Sequence, residues 1–154
     1  MVTEPATLYP LIRQMNADDL DRVFKIEQDA YPFPWTRGIF EDCIRVGYDC
    51  CALQAGPRMI AYSICSHVAG ESHLLNLCVA SQWQRNGYGN LMLDHIIRNA
   101  RLRQCTSMFL EVRPSNPTGI GLYERKGFFV LGIRPGYYRA AVGREDAIVM
   151  RLDL

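Results

Sequence analysis

Residues 74–90 constrain the fold more than any other stretch. An apolar run, Leu74-Leu75-Asn76-Leu77-Cys78-Val79-Ala80, passes through a polar loop into Gln84-Arg85-Asn86-Gly87-Tyr88-Gly89-Asn90 and on to Leu91-Met92-Leu93-Asp94-His95-Ile96-Ile97. This reads as strand, glycine-bearing turn and helix. Two glycines at the hand-over let the backbone take positive φ and come close to a ligand, and a helix start presents unpaired N–H groups at the positive end of its dipole. Those are the physical requirements for holding a phosphate, although a glycine pair before a helix also serves as a plain turn. The third glycine of a dinucleotide fingerprint and the Lys-Ser/Thr of a P-loop are both missing, which sets those two nucleotide folds aside.

The flanking segments are regular. Asn16 followed by Asp19 is an acidic variant of the capping box and predicts a helix over 17–30, with Leu20, Val23 and Phe24 as its apolar stripe. Two prolines keep Tyr31-Pro32-Phe33-Pro34-Trp35 irregular, and its aromatics suit either a plug over the core or one wall of a substrate groove. Thr36 caps a second helix to about Val46, which buries Ile39, Phe40, Cys43 and Ile44. Strands over 48–55, 58–68 and 72–80 then form an antiparallel meander. The helix after Gly87 turns Leu91, Leu93, Ile96, Ile97 and Ala100 inward. A strand over 105–112 follows, and the strand, helix, strand order implies a right-handed parallel crossover. Asn116 caps a last helix that Pro117 opens and Gly127 closes. Gly119 and Gly121 inside it cost about 1 kcal/mol each relative to alanine, so either something approaches closely there or tertiary contacts carry the helix. Strands over 128–133 and 147–152 end the chain around an aromatic and arginine-rich loop, 134–139.

Composition removes several classes. A length of 154 residues fits one domain over 1–154, and a formal net charge of +1 gives no global field to recruit nucleic acid. Residues 1–10 lack the basic start and apolar core of a signal peptide, and no apolar run reaches the length of a membrane span, so a soluble, cytoplasmic protein is expected. Six cysteines without a CxxC spacing suit buried thiols in a reducing compartment rather than a disulfide or zinc framework. His67 and His73, on strands, read as satisfied or exposed side chains, not as metal ligands with Cys65.

Two residues stand out for chemistry. Glu111 lies between Leu110 and Val112, so strand alternation sends its carboxylate to the opposite face. It can serve as a general base or pair with an arginine such as Arg113 or Arg85. Tyr123 sits in the last helix, where a tyrosine is commonly core with a wet hydroxyl.

Taken together these segments resemble the GNAT N-acetyltransferase superfamily. The run Gln84 to Gly89 after a strand ending in valine resembles its acetyl-CoA pyrophosphate loop, and Leu110-Glu111-Val112-Arg113, Ser115-Asn116 and Leu122-Tyr123-Glu124-Arg125-Lys126-Gly127-Phe128 its second half. Phe33-Pro34-Trp35, Tyr137-Tyr138 and Gly143-Arg144-Glu145-Asp146-Ala147 are similar to the RimI-type ribosomal-protein-alanine N-acetyltransferase branch, over Ile26 to Met150. The resemblance implies an α+β, three-layer fold with a mixed, mostly antiparallel sheet of about seven strands and about four flanking helices. It implies that main-chain groups of Leu77, Cys78 and Val79 hold the pantetheine arm of acetyl-CoA. Arg85, Asn86, Gly87, Tyr88, Gly89 and Asn90 would cradle its pyrophosphate, and Asn116 would contact it. Glu111 becomes the proton acceptor for the amine and Tyr123 the proton donor to the departing thiolate, with no metal. The implied partner is the N-terminal segment of a small-subunit ribosomal protein, with no nucleic acid and no membrane. The chain departs from such proteins at Pro117, Gly119 and Gly121, where they tend to carry alanines, and in a longer lead-in before Leu8.

The chemistry is consistent with these roles. A free α-amino group has a pKa of about 7.7–8.0, so a modest base suffices near neutrality, whereas lysine at about 10.4 needs far more help. A phenol that protonates the leaving thiolate aids direct transfer, and a strand N–H near Val79 can meet the developing oxyanion. Cys78 is read as packing, not as a covalent nucleophile. The rival readings are a GNAT acting on lysine or a small amine, and a non-catalytic acyl-CoA-binding or interaction protein on the same fold.

Overall fold

A computed structural model describes residues 9–154. The expectations for positions 1–8, no signal sequence and a long lead-in, lie outside the described residues. In order the elements are β1 (Leu11–Gln14), a 3-10 turn (Ala17–Asp19), α1 (Leu20–Ala30), α2 (Arg37–Arg45), β2 (Asp49–Ala55), β3 (Arg58–Val68), β4 (Glu71–Val79), a second 3-10 turn (Ser81–Trp83), α3 (Tyr88–Leu102), β5 (Ser107–Val112), α4 (Pro117–Arg125), β6 (Phe129–Arg139) and β7 (Arg144–Asp153). The strands form one sheet in the order β1-β2-β3-β4-β5-β7-β6. Only the β4 and β5 pair is parallel, as the crossover through α3 requires; all other pairs are antiparallel.

Helices cover both faces of the sheet, which explains why β2 and β3 read as continuous apolar runs. Cys50 and Ala52 of β2 and Tyr62 and Ile64 of β3 pack with Val23, Ile26, Phe40 and Cys43 of α1 and α2. The alternate residues Cys51 and Leu53 of β2 and Ile60 and Ala61 of β3 pack with Met92 of α3. A third cluster joins Leu93, Ile96 and Ile97 of α3 to Met108, Leu110 and Val112 of β5, with Ile120, Leu122 and Tyr123 of α4 packed against it. Both sides of a central strand are therefore dry, and each large apolar side chain buried there contributes roughly 1.5–3 kcal/mol.

The capping box forms as expected: Asp18 N–H donates to Asn16 Oδ1 (2.9 Å) and Asn16 N–H donates to Asp19 Oδ2 (2.9 Å). Asp19 does more than cap. Its buried carboxylate also accepts from Arg13 (2.8 and 2.7 Å) and Arg22 (2.7 Å), which ties β1 to the start of α1. The Arg13 hydrogen bond outweighs burial and, with the Asn16 backbone and both arginine charges, holds the Asp19 carboxyl down at about 2. A depressed carboxyl contributes stability that is fully present above its unfolded value and is lost as pH falls through the folded one. Roughly 2 kcal/mol should therefore disappear between about pH 4 and pH 2. Acid titration of Asp19→Asn beside the parent protein, followed by circular dichroism, should show that increment missing from the variant.

Three expectations are corrected, the first being Ile39, which is 40% exposed while Phe40 and Cys43 form the buried face of α2. Leu91 does not face inward; it is 44% exposed, while Met92, Leu93, Ile96, Ile97 and Ala100 form the buried stripe. The helix begins at Tyr88, and the 3.6-residue period from Met92 passes over Leu91. Residues 134–139 are not a loop but the second half of β6. Arg134 pairs with Ala147 and Tyr138 with Glu145, so Pro135, Gly136 and Tyr137 bulge from the strand, and Gly136 takes φ +58°. β6 is an edge strand, where a proline that donates no ladder bond is tolerated. The turn lies farther on, at 140–143.

Candidate active site

The site begins where β4 and β5 part. Glu71 to Leu74 pair with Ser107 to Leu110, and the pairing stops there. On its other side β4 carries a bulge at Leu75, since Ile64 pairs with Asn76 but Cys65 with Leu74. A bulge bends a strand and raises its twist, so the rest of β4 leans away from β5. Residues 75–79 form one wall of the resulting wedge, with no sheet partner on the β5 side; Glu111 and Val112, paired only with β7, form the other. The carbonyls of Leu77 and Val79 accept from the Tyr31 hydroxyl (3.4 Å) and Gln84 Nε2 (3.1 Å).

The glycine turn closes one end. Gly87 is the N-cap of α3 at φ +81°, with no side-chain cap, and Arg85 also lies at positive φ (63°). Asn86 Nδ2 donates to the carbonyls of Trp83 and Gln84 (3.0 Å each), and Tyr88 stands edge-on to Trp83 at 6.5 Å. Those side chains hold the shape of the turn, so the groups left to meet an anion are backbone N–H groups and the exposed Arg85. No acidic residue lies in the first turn of α3. A Cβ on Gly89 would sit 3.3 Å from Leu122 Cδ2, so glycine lets the start of α3 lie against the middle of α4. Unpaired N–H groups, a helix dipole and an arginine fit a pyrophosphate, and a bare strand edge fits the amides of a pantetheine arm.

At the next helix, Asn116 Oδ1 accepts from Gly119 N–H (3.0 Å) as the N-cap of α4. A Cβ on Gly119 would fall 2.6 Å from Asn116 Nδ2, whereas one on Gly121 would meet only the mobile end of Arg125 at 3.2 Å. The two glycines therefore differ in purpose. Gly121→Ala should stabilise by up to about 1 kcal/mol, while at Gly119 the same gain is cancelled by displacement of a cap worth about 0.5–2 kcal/mol. Parallel urea melts of the two variants check this, the expectation being a higher midpoint for Gly121→Ala alone.

Glu111 is nearly buried, with a side chain 11% exposed. Its Oε2 lies 2.7 Å from His73 Nε2 and its Oε1 3.8 Å from the Arg134 guanidinium. The His73 hydrogen bond outweighs burial and, helped by the His73 and Arg134 charges, holds its carboxyl below the usual carboxylate value. Neither arginine considered from sequence is its partner. Arg113 instead stacks on Tyr138 (4.3 Å), faces Phe33 at 6.0 Å and donates to the Arg139 carbonyl (2.6 Å). This stack joins the aromatic turn before α2 to the bulged part of β6, beside Glu111.

Tyr123 packs edge-on against Phe128 at 5.7 Å, and burial pushes its phenol up to about 12, with a smaller contribution from Cys78. It is a neutral donor throughout the physiological range. Burial likewise pushes the Cys78 thiol up to about 11, against hydrogen bonding to Tyr31 and Tyr62. A thiol so protonated is no nucleophile. All six cysteines are free and buried. His67 is satisfied by Asp49 (3.1 Å) and Ser72 (2.7 Å), but His73 is the neighbour of Glu111 that sequence did not single out. Only the parallel register, which sets His73 beside Phe109, brings it there.

Comparison with known proteins decides the family. The Acetyltransferase (GNAT) family model matches residues 20–128. The chain belongs to the GNAT acetyltransferase family. It is 39% identical to the [Ribosomal protein bS18]-alanine N-acetyltransferase of Salmonella typhimurium over 140 residues, 91% of this chain and 95% of that one. It is 37% identical to the Escherichia coli protein of the same name over 143 residues, 93% of this chain and 97% of that one. The crystal structure of the Escherichia coli ribosomal-protein-S18-alanine N-acetyltransferase superposes with a TM-score of 0.89 at 36% identity, covering 94% of each chain. The seven-stranded mixed sheet with four α-helices is thus a GNAT fold, as the sequence implied. Among the described residues no helix is long and apolar enough to cross a membrane.

Proposed function

We propose that this GNAT enzyme transfers the acetyl group of acetyl-CoA to the N-terminal alanine amine of ribosomal protein bS18, in the cytoplasm. The observation that carries this reading is the match to the two bS18-alanine N-acetyltransferases through more than nine-tenths of the chain, which takes in both walls of the wedge and the glycine turn. Acetyl-CoA supplies an acetyl group activated as a thioester. Backbone groups of Leu77, Cys78 and Val79 hold its pantetheine arm. Arg85, Asn86, Gly87, Tyr88, Gly89 and Asn90 enclose its pyrophosphate, and Asn116 contacts it from the start of α4.

Glu111 accepts the proton of the amine. Its carboxyl is held low and so is ionised near neutrality, free to accept. A nitrogen that is bonding to an acetyl carbon becomes strongly acidic, so a weak base is enough. An α-amino group at about 7.7–8.0 starts the reaction partly uncharged, which a lysine side chain does not. Tyr123 returns a proton to the departing sulfur. Phe33, Arg113 and Tyr138 cover the amine side of the wedge and offer aromatic surface to an extended peptide.

The test is mass spectrometry of peptides incubated with enzyme and acetyl-CoA: one with the bS18 N-terminus, one with serine in place of alanine, and one blocked at its N-terminus but carrying lysine. Acetyl on the alanine amine is expected. Label confined to lysine would overturn the reading.

A further inference from the structure

The geometry points to His73 as the positioning residue of Glu111: its Nε2–H fixes Oε2 of the carboxylate so that Oε1 faces the amine. The inference rests on Glu111 being the proton acceptor, as proposed above.

His73 Nε2 lies 2.7 Å from Glu111 Oε2, a distance usual for a charge-assisted bond. An ionised carboxylate only accepts, so Nε2 carries the shared proton, and this selects the tautomer. One oxygen of Glu111 is thereby committed to β4. Among the described residues the side-chain cation facing the other is the Arg134 guanidinium, at 3.8 Å, beyond hydrogen-bonding reach. Oε1 is the oxygen with a free lone pair. When the amine attacks, an N–H bond breaks, its electron pair stays on nitrogen, and the proton forms an O–H bond at Oε1 before passing to solvent.

Location makes this pairing matter. β4 and β5 are hydrogen-bonded only through Leu74 and Leu110, so Glu111 is the first residue of β5 beyond that pairing. His73, in the last part that is still paired, reaches over and holds it. The charged and titratable groups facing the pair are Arg134 and Tyr138 from β6, and Arg151 of β7, whose guanidinium lies 5.6 Å over the Phe109 ring beside His73. Glu71 is two positions earlier on the same face of β4.

Initial rates with acetyl-CoA and a peptide bearing the bS18 N-terminus test this for wild type, His73→Ala, His73→Gln and Glu111→Gln. His73→Ala should lower kcat roughly 10- to 100-fold with both KM values within about twofold, as expected when a supporting hydrogen bond to a reacting group is lost. His73→Gln places an amide N–H near the position of Nε2 and should recover most of that kcat. That rescue, with KM unchanged, separates positioning from mere structure. The His73 side chain is 37% exposed, so both variants should fold, and melting temperatures check this. An unchanged kcat in His73→Ala, a change in KM alone, or a kcat in His73→Gln no higher than in His73→Ala would overturn the inference while leaving the role of Glu111 standing. Wild-type turnover by Glu111→Gln would instead remove that role and the inference with it.

Discussion

Glu111→Gln should lower kcat for N-terminal acetylation by about 10²–10⁴ while the KM for acetyl-CoA stays within about twofold, the range usual for loss of one general acid or base. Glutamine keeps the length of the side chain and an oxygen that can accept from His73. It removes only the ability to take a proton. The carboxylate stands on the β5 wall of the wedge, whereas the groups proposed to hold acetyl-CoA lie on β4, in the glycine turn and at the start of α4, so cosubstrate affinity and proton transfer should separate cleanly. Steady-state kinetics with the cosubstrate varied at saturating peptide, beside a direct binding measurement with CoA, reads both quantities. A variant that binds CoA normally and turns over at the wild-type rate would assign the base elsewhere.

Glu27→Ala should destabilise the protein by roughly 3–5 kcal/mol, the cost typical of stripping a buried polar cluster of its charged partner. Glu27 is 2% exposed. Its carboxylate accepts from Trp35 N–H (3.0 Å), from Asn76 Nδ2 (3.1 Å) and from the Tyr62 hydroxyl. Alanine leaves three donors facing a cavity, each worth about 1–3 kcal/mol when unsatisfied, less what an entering water recovers. For a chain of this size the loss corresponds to a fall in Tm of roughly 10 °C. The same change should cost activity, because Glu27 anchors the aromatic turn from one side and the β4 wall from the other. Urea denaturation measures the first effect, and a loss under about 1 kcal/mol would show that the cluster does not depend on its carboxylate.

The parts of this molecule that follow from local rules were legible in its sequence. Asn16 and Asp19, Thr36, and Asn116 with Pro117 mark helix starts by cap chemistry, and all three helices begin there. The parallel crossover followed from strand, helix, strand order. Glu111 and Tyr123 could be picked out because a carboxylate in an apolar strand and a tyrosine at a helical spacing are visible within a few residues. What could not be read was set by pairings between distant segments. His73 meets Glu111 across 38 positions, and the β4 bulge at Leu75 leaves no mark in composition. Glu27 follows helical spacing, and nothing near it announces that three donors from elsewhere converge on it. Residues 134–139 misled for the opposite reason: proline and glycine signal a loop, yet an edge strand absorbs both in a bulge.

The short pairing of β4 with β5 has a mechanical meaning. Four residue pairs join the leaf formed by β1, β2, β3 and β4 to the leaf formed by β5, β7 and β6. Such a sheet behaves as a book with a short spine, in which flexing is concentrated and each leaf stays stiff. A molecule lying along the open edge fastens the covers at a second point. With acetyl-CoA seated there as proposed, the enzyme would gain rigidity from the substance it consumes and loosen each time the spent carrier departs.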